Sequence, residues 1–335
     1  MNGQNPETAL VEPISMPYQD RSAGLIAFGI LTILLGCMAG LLILLMLAGQ
    51  AATARISHGS APFSAILPAV LLYGVLAVAL VWLGIGSITA RRWARALLLI
   101  FSWSWLFIGL VALLFTAFIM PKILANLSAS GAPGQPALSS TAIGMAMFFA
   151  SLIVGVIFII LPAVWIFFYN SRHVKATCET RDSLTRWTDA CPLPVLALCL
   201  WLLFSVAMML VMPIAGHAVM PFFGMFLTGL PGTMFYLAIA ALWSYAAWLL
   251  YKLDQRGWWL ILIAMVVFMA SALLTYARHD IIEMYQLMGY PEAQIEQIQK
   301  SGLLTGNRMN WLMSFSVLPF LGYLFFLKKY FRGKS

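Results

Sequence analysis

Long apolar runs separated by short polar turns dominate the chain. Because about 20 apolar residues are needed to cross the hydrocarbon core of a bilayer as a helix, each run of this length predicts a membrane span. None of the runs that qualify contains Asp, Glu, Lys, Arg or His. We place these spans at residues 22–49, 63–90, 97–120, 142–169, 195–213, 229–251, 258–277 and 309–327. The pattern therefore predicts an all-α fold, that of a polytopic α-helical integral membrane protein with eight transmembrane helices.

The composition agrees with this pattern. The 335 residues are 62% hydrophobic and only 9% charged, whereas a soluble domain carries about 25% charged residues. Such a chain cannot form a surface that faces water on all sides, so the lipid bilayer is its first expected partner. The net charge of +8 lies in short clusters beside the apolar runs, as membrane-flanking charge does. This placement argues against nucleic-acid binding.

The basic residues predict an orientation. With eight spans, one side of the membrane would carry fourteen Lys and Arg residues, and the other side only Arg55, Lys122, Arg278, Lys300 and Arg308. Since Lys and Arg concentrate in cytoplasmic loops, we expect both termini in the cytoplasm. The polar tail before the first span lacks a basic start and a small-residue cleavage site, which favours a retained first helix over a removed signal peptide.

The two halves of the chain share landmarks in the same order. The segments of the first half are "HGSAPF" (58–63), "LPAVLLY" (67–73) and "ARRWAR" (90–95), and those of the second half are "HAVMPF" (217–222), "LPGTMFY" (230–236) and "DQRGWW" (254–259). Trp82 and Trp243 follow the second landmark, and Leu-Pro recurs in the last helix of each half, at Pro162 and Pro319. Ordered matches at a near-constant offset predict two parallel four-helix repeats.

This duplication divides the chain into four parts. They are a cytoplasmic N-terminal tail (1–20), a first four-helix transmembrane repeat (21–170), a cytoplasmic linker (171–193), and a second four-helix repeat with a short basic cytoplasmic C-terminus (194–335). Pro162 and Pro319 would kink the fourth helix of each repeat, since proline removes a backbone donor. The apolar segment 211–233, which prolines interrupt, predicts either an interfacial or re-entrant stretch or a long loop that packs on helix ends.

The linker is the most charged stretch of the chain, and it contains three conceivable metal ligands, His173, Cys178 and Cys191. Structural zinc sites usually contain closely spaced ligand pairs, and no such pair is present here. We therefore favour a solvated connector with incidental cysteines, and a metal site is the alternative. Trp187 could anchor this connector at the level of the lipid headgroups.

Histidines on the opposite side raise a second possibility. The duplication would make His58 and His217 symmetry mates, which could bind a metal or sense pH. Neither has a carboxylate nearby in the sequence to orient its ring, so loop histidines beside a proline are the favoured interpretation. The last outer loop contains His279, Asp280 and Glu283. These three residues could bind a cation, and the default interpretation is the solvated face of an amphipathic helix.

The absence of ionisable residues from the predicted spans argues against a proton-driven transporter, a haem protein and an intramembrane metalloenzyme. No nucleotide-binding or hydrolase motif is present either, and no cofactor is predicted. The segments "WLGIGSITARRWARALLLI" (82–100) and "RHVKATCETRDSLTRWTDACPLPVLAL" (172–198) resemble uncharacterised polytopic membrane proteins of bacteria. The resemblance implies a bacterial cytoplasmic (inner) membrane protein and carries no assigned activity.

Three functional hypotheses follow. The leading one is an accessory or scaffold subunit without catalytic activity, which packs against a membrane-protein partner or forms a homo-oligomer. The second is a transporter or binder of an apolar or lipid-like molecule between the repeats, with a cavity lined by Tyr73, Trp82, Tyr236 and Trp243. The third is a membrane enzyme with an outer-face site, which would use His58, His217, His279, Asp280 or Glu283.

Overall fold

The first half of the chain forms a bundle of long helices. In the computed structural model, the described residues are 18–56, 66–118, 120–121, 140–215, 218–290, 292, 295–296, 299 and 307–331. The helices of this half are α1 (Ser22–Ile56), α2 (Leu67–Ile88), α3 (Arg92–Phe118), α4 (Ser140–Gly155) and α5 (Leu161–Asn170). A π-helical turn, Val156–Ile160, joins α4 to α5, so that the two helices form one long rod. We call α1–α5 the first unit.

The second half of the chain follows a short polar segment. That segment contains α6 (Arg172–Arg181) and a 3₁₀ turn (Trp187–Asp189). The remaining elements are α7 (Leu193–Ile214), strands β1 (Met220–Phe222) and β2 (Met225–Leu227), α8 (Gly229–Tyr251), α9 (Gln255–Tyr276), α10 (Ile281–Leu287), α11 (Asn307–Leu327) and a 3₁₀ turn (Lys328–Tyr330). We call α7–α11 the second unit.

Within the described residues, seven helices are long and apolar enough to cross a membrane. They comprise α1, α2, α3, the α4–α5 rod over Gly144–Asn170, α7, α8 and α9. The prediction of an all-α multi-pass membrane protein is thereby confirmed. The eighth predicted span, 309–327, is helical within α11, and its passage through the membrane stays a prediction.

Glycine allows α1 and α2 to approach until their backbones touch. A β-carbon at Gly29 would lie 2.8 Å from the carbonyl oxygen of Gly84, and one at Gly84 would lie 2.7 Å from that of Gly29. Two turns further along α1, Gly36 faces Val81 and the carbonyl oxygen of Ala77 in the same way. Small residues at such positions permit close helix packing in membranes, and any larger residue would push the helices apart.

The π-helical turn has a cause in the sequence. Pro162 has no N–H to donate to the carbonyl four residues earlier, that of Phe158. This carbonyl faces Gly109 of α3, where even a β-carbon would collide with it. The predicted distortion at Pro162 thus takes the form of a π-turn that packs against a glycine. Pro319 lies within α11.

Each unit has its own core, and the cores meet at α3. The first contains Leu25, Leu98 and Trp165, and the second contains Trp243, Trp258 and residues of α7 and α11. Ile100 of α3 belongs to the second core, and the Trp201 indole of α7 donates a hydrogen bond to the Ser104 hydroxyl of α3 at 2.8 Å. The two units therefore contact each other inside the membrane.

The apolar segment 211–233 contains a short antiparallel hairpin, β1–β2, that neither sequence interpretation specified. Met220 pairs with Leu227 and Phe222 with Met225. The two residues between the strands, Phe223 and Gly224, have positive φ angles of 41° and 94°, as a type I′ turn requires. The hairpin packs on the C-terminal half of α9 and so lies at the opposite end of the bundle from α6.

Candidate functional site

The polar segment between the units folds into a platform at one edge of the protein. We define the linker platform as residues 171–192. Ser171 caps α6 by accepting a hydrogen bond from the backbone N–H of His173 at 3.3 Å. Val174, Thr177 and Cys178 of α6 are buried, with Val174 and Cys178 in the core of the first unit. The platform is therefore part of the first unit's packing.

A buried carboxylate, that of Asp182, lies at the centre of this platform. Its side chain is 1% exposed, and it accepts hydrogen bonds from the backbone N–H of Arg92 at 3.3 Å and from the Arg186 guanidinium at 3.2 Å. The Arg91 guanidinium lies 3.7 Å away. Since a buried charge is tolerated only when it is paired and hydrogen-bonded, Asp182 couples the α2–α3 turn to the linker platform.

Further ion pairs surround this carboxylate. Arg92 lies 3.7 Å from Glu179 and 3.5 Å from Asp189, and Lys175 lies 3.8 Å from Glu179 one turn along α6. In α3, the guanidinium of Arg95 donates to the main-chain carbonyl of Tyr169 at 2.9 Å. The acids of the linker platform thus neutralise the basic end of the first unit.

The chain before α1 joins the same network. The backbone N–H of Gln19 donates to Nδ1 of His173 at 3.3 Å, and that of Arg21 donates to the Thr177 hydroxyl at 3.2 Å. Asp20 accepts a hydrogen bond from the backbone N–H of Ser22, the first residue of α1, at 3.0 Å and lies 3.3 Å from Arg181. Hydrogen bonds from the side chain and backbone of Ser22, and then the charge of Arg181, lower the pKa of the Asp20 carboxyl.

The three conceivable metal ligands of the linker do not come together. His173 accepts a hydrogen bond from Gln19, Cys178 lies in the first core and Cys191 lies in the second. Burial raises the pKa of both thiols to about 11, which disfavours the thiolate that a metal requires. Across the described ranges, no group of three or more His, Cys, Asp or Glu side chains has a geometry suited to a metal ion.

The linker platform also contacts the second unit. The Tyr251 hydroxyl, at the end of α8, donates a hydrogen bond to the main-chain carbonyl of Trp187 at 2.9 Å. Leu193, at the start of α7, packs against the cores of both units. The platform therefore joins the N-terminal segment, the α2–α3 turn and the end of α8 at one edge of the protein.

A second polar cluster lies at the opposite edge, where α9 supports the hairpin. The Ser271 hydroxyl accepts a hydrogen bond from the backbone N–H of Phe223 at 2.9 Å, and the Thr275 hydroxyl accepts one from that of Gly224 at 3.0 Å. Both hydroxyl side chains are buried. These two residues, four apart on one face of α9, satisfy the turn's backbone donors, which would otherwise be buried without a partner.

His279 completes this cluster one turn further on. Its Nδ1 lies 2.8 Å from the Glu283 carboxylate and its Nε2 lies 3.1 Å from the carbonyl oxygen of Gly224. The two ring nitrogens thus link α10 to the turn of the hairpin. Asp280 instead caps α10. His279 and Glu283 are thus brought together and serve to hold the hairpin, whereas His58 and His217 lie outside the described residues.

The four aromatic residues proposed to line a cavity occupy different surroundings. Trp82 is 52% exposed and stacks on Trp93 with ring centroids 4.1 Å apart, whereas Trp243 is buried in the core of the second unit. The Tyr236 hydroxyl donates to the carbonyl of Val219 at 3.2 Å, and Tyr73 is half-buried on α2.

The residues that organise both clusters were missed by sequence reasoning. The charge pattern of the linker does not distinguish Asp182 from its other acids, and the apolar pattern of α9 does not single out Ser271 and Thr275. The spacing of four residues between Ser271 and Thr275 within an apolar helix was the available signal, because it places two hydroxyls on one face.

Comparison with protein-family models, with curated proteins and with solved structures finds no match to this chain.

Proposed function

We propose that the protein is a membrane scaffold without catalytic activity, an accessory subunit of the bacterial cytoplasmic membrane that packs against a partner membrane protein. The observation that carries this proposal is the exposure of the α4–α5 rod. Only 6% of its most apolar window is buried inside the protein, whereas the other candidate spans bury between 17% and 44% of theirs. Most of this rod is therefore free to contact a neighbour in the bilayer.

The outward surface of the rod has the chemistry of a helix-packing face. Phe148, Phe149 and Ile153 are more than half exposed, and Gly144 and Gly155 have no neighbour that a β-carbon would meet within 4 Å. Aromatic side chains beside small residues offer both bulk and notches to a partner helix. The rod is anchored on its inner side by the contact between Phe158 and Gly109.

Site-specific photo-crosslinking in native membranes tests the scaffold proposal. A photoreactive phenylalanine analogue would be placed at Phe149 of α4 or at Ile263 of α9, positions that are 59% and 58% exposed. We expect one protein adduct of defined mass from Phe149 and only lipid adducts from Ile263. The adduct should also co-purify in stoichiometric amount with the protein in mild detergent.

Two outcomes would contradict the scaffold proposal. Lipid adducts alone at both positions would mean that the rod faces only the bilayer. An adduct of twice the chain mass of 37.0 kDa would indicate a homo-oligomer in place of an accessory subunit with a different partner.

We further propose that the two units arose by duplication, with eight spans in parallel repeats. The turns α2–α3 and α8–α9 support this. Ala90 and Leu253, 163 positions apart, are both non-glycine residues with positive φ, 54° and 58°. Each turn has the same pair of backbone hydrogen bonds: Ala90 N–H to Ser87 and Arg91 N–H to Gly86, and Leu253 N–H to Leu250 and Asp254 N–H to Leu249. This is a Schellman motif built twice at one offset.

Side chains at the same offset support the duplication as well. Gly86 faces Ala94 in the first unit, and Leu249 faces Gly257 in the second. Each pair contains one glycine, which precedes the turn in the first unit and follows it in the second. Arg95 and Trp258 are also 163 positions apart. Arg95 donates to the carbonyl of Tyr169 at 2.9 Å and Trp258 to that of Leu324 at 2.7 Å, and each bond joins the third helix of a unit to the end of its last helix.

The contacts also support the proposed orientation. The start of α1, the α2–α3 turn, the linker platform and the end of α8 meet at one edge, and α11 ends beside Trp258 at that same edge. The positive-inside rule assigns this edge, which carries most of the Lys and Arg residues, to the cytoplasm. We expect a C-terminal reporter that is active only in the cytoplasm to be active, and one that is active only outside the cytoplasm to be inactive. Activity of the second reporter alone would exclude eight spans with this orientation.

A further inference from the structure

The end of the second unit carries a cluster of cations at the edge that it shares with the linker platform. Lys252 lies in the α8–α9 turn, Arg256 in the first turn of α9, and Lys328 and Lys329 at the end of α11. Lys252, Arg256 and Lys329 are exposed, and Lys328 is partly exposed. We call these four residues the basic patch.

The basic patch lacks the acids that neutralise the first unit. Among the described residues, none of its four cations forms an ion pair, whereas Arg91, Arg92, Lys175, Arg181 and Arg186 all do. The acid of the α8–α9 turn, Asp254, caps α9 by accepting the backbone N–H of Arg256 at 2.9 Å. The linker platform thus supplies counter-charge to the first unit, and no acid among the described residues pairs with the four cations of the basic patch.

Aromatic rings hold the lysines of the basic patch in place. The Lys252 ammonium lies 4.4 Å from the centre of the Trp248 ring, and that of Lys328 lies 4.9 Å from Trp258 and 5.7 Å from Trp259. The Lys329 ammonium lies 3.9 Å from the Phe326 ring. A ring face orients an ammonium without neutralising its charge, and tryptophan at a helix end belongs at the headgroup level of the bilayer.

We propose that the basic patch binds the phosphate of anionic phospholipid headgroups. Three features support this ligand. The patch lies at the edge where the helices meet the headgroups, the ammonium groups keep free donors on the side away from the rings, and a phosphate oxygen accepts charge-assisted hydrogen bonds from them. The lipid headgroup thereby supplies the counter-charge that the acids of the linker platform supply to the first unit.

The test compares two variants of equal charge change at the same edge. Lys328→Gln/Lys329→Gln removes two cations from the basic patch, and Lys175→Gln/Arg181→Gln removes two from the linker platform. The purified full-length protein in mild detergent is titrated with phosphatidylglycerol, with phosphatidylcholine and with inorganic phosphate. Binding is followed by native mass spectrometry and by the shift in melting temperature.

We expect phosphatidylglycerol to bind and to raise the melting temperature of the wild-type protein and of the linker-platform variant. Each basic residue near a membrane surface contributes enough attraction that losing two should weaken binding roughly 30-fold. Lys328→Arg/Lys329→Arg should restore binding, and this variant distinguishes loss of charge from loss of folding. Phosphatidylcholine and millimolar phosphate are expected to give no shift.

Three results would overturn the proposal. Equal weakening of phosphatidylglycerol binding in the two glutamine variants would show that the lipid is attracted by the charge of the whole edge and not by the basic patch. Equal binding of phosphatidylcholine would show that the headgroup charge is not recognised. A shift produced by inorganic phosphate alone would identify a site for the free ion and not for a lipid.

Discussion

The two units hold their first helix pair together in different ways. In the first unit, α1 and α2 approach until their backbones touch at Gly29 and Gly84. In the second, α7 contains no glycine, and α7 and α8 share a core of bulky buried side chains that includes Leu202, Trp243 and Leu250. A backbone contact leaves no room for added atoms, whereas a side-chain core tolerates some repacking. The first unit should therefore be the more sensitive to enlargement of a small residue.

The largest effect is expected from Gly29→Leu. The new side chain would have to displace the backbone of Gly84, so α1 and α2 would separate along their contact, at a cost of about 3 kcal/mol. Gly40→Leu is the matched control, because it lies on the same helix and has no neighbour within 4 Å of an added β-carbon. The melting temperature and the monodisperse yield in detergent measure both variants. Similar values for the two would contradict the glycine contact.

A smaller but still large loss is expected from Asp182→Asn, which leaves Arg91 and Arg186 without their buried counter-charge. Since these arginines are partly solvated, we expect a loss of about 2–3 kcal/mol in the free energy of unfolding. Glu179→Gln removes an acid from the same platform whose side chain is 41% exposed, and should cost less than about 1 kcal/mol. Amide exchange at Arg92 reports the local effect, and unchanged protection in Asp182→Asn would exclude the proposed coupling.

The two units can also be tested for equivalence. Gly257→Ala places a methyl group 2.8 Å from the β-carbon of Leu249, and Leu249→Gly should relieve this clash because it recreates the pair found at Gly86 and Ala94. Together with the two single variants, the double variant forms a double-mutant cycle. We expect a favourable coupling of about 1–2 kcal/mol, measured from melting temperatures. Additive single effects would show that the two turns do not share one packing solution.

The spans were predictable from the sequence because the length of an apolar run is a direct physical requirement of the bilayer. The predicted run 142–169 corresponds to the rod Gly144–Asn170, and the run 229–251 corresponds to α8. The π-turn at Val156–Ile160 was less accessible. It depends on the carbonyl that Pro162 leaves free and on a glycine of another helix, Gly109, and a pattern within one helix contains no information about the second.

The two polar clusters were predictable only in part. The linker was predicted as a solvated connector with incidental cysteines, and both cysteines are buried. Cys178 is buried because α6 turns one face into the first core, and Cys191 lies in the second core. His279, Asp280 and Glu283 were considered only as a possible cation site or as the solvated face of an amphipathic helix. The partner of His279, Gly224, lies 55 positions away in the hairpin, and such a long-range contact cannot be read from local spacing.

The smallest expected effect concerns the two thiols of the linker platform. Cys178 lies in the first core and Cys191 in the second, and we expect the two thiols to behave alike. Burial raises the pKa of Cys178 and that of Cys191 to about 11 from an ordinary value of 9.0, so at neutral pH the reactive thiolate is roughly 100-fold scarcer than for a free thiol. A pKa that is higher in the folded state also means that the unfolded state releases its proton first. The contribution of these thiols to the free energy of unfolding is therefore fully present below about pH 9 and is lost as the pH rises towards 11. We expect iodoacetamide to modify each thiol at a rate that rises about tenfold per pH unit. Mass spectrometry follows Cys191 in the Cys178→Ser variant and Cys178 in the Cys191→Ser variant. Rapid modification of either thiol at pH 7.5 would show that its part of the platform is open to water.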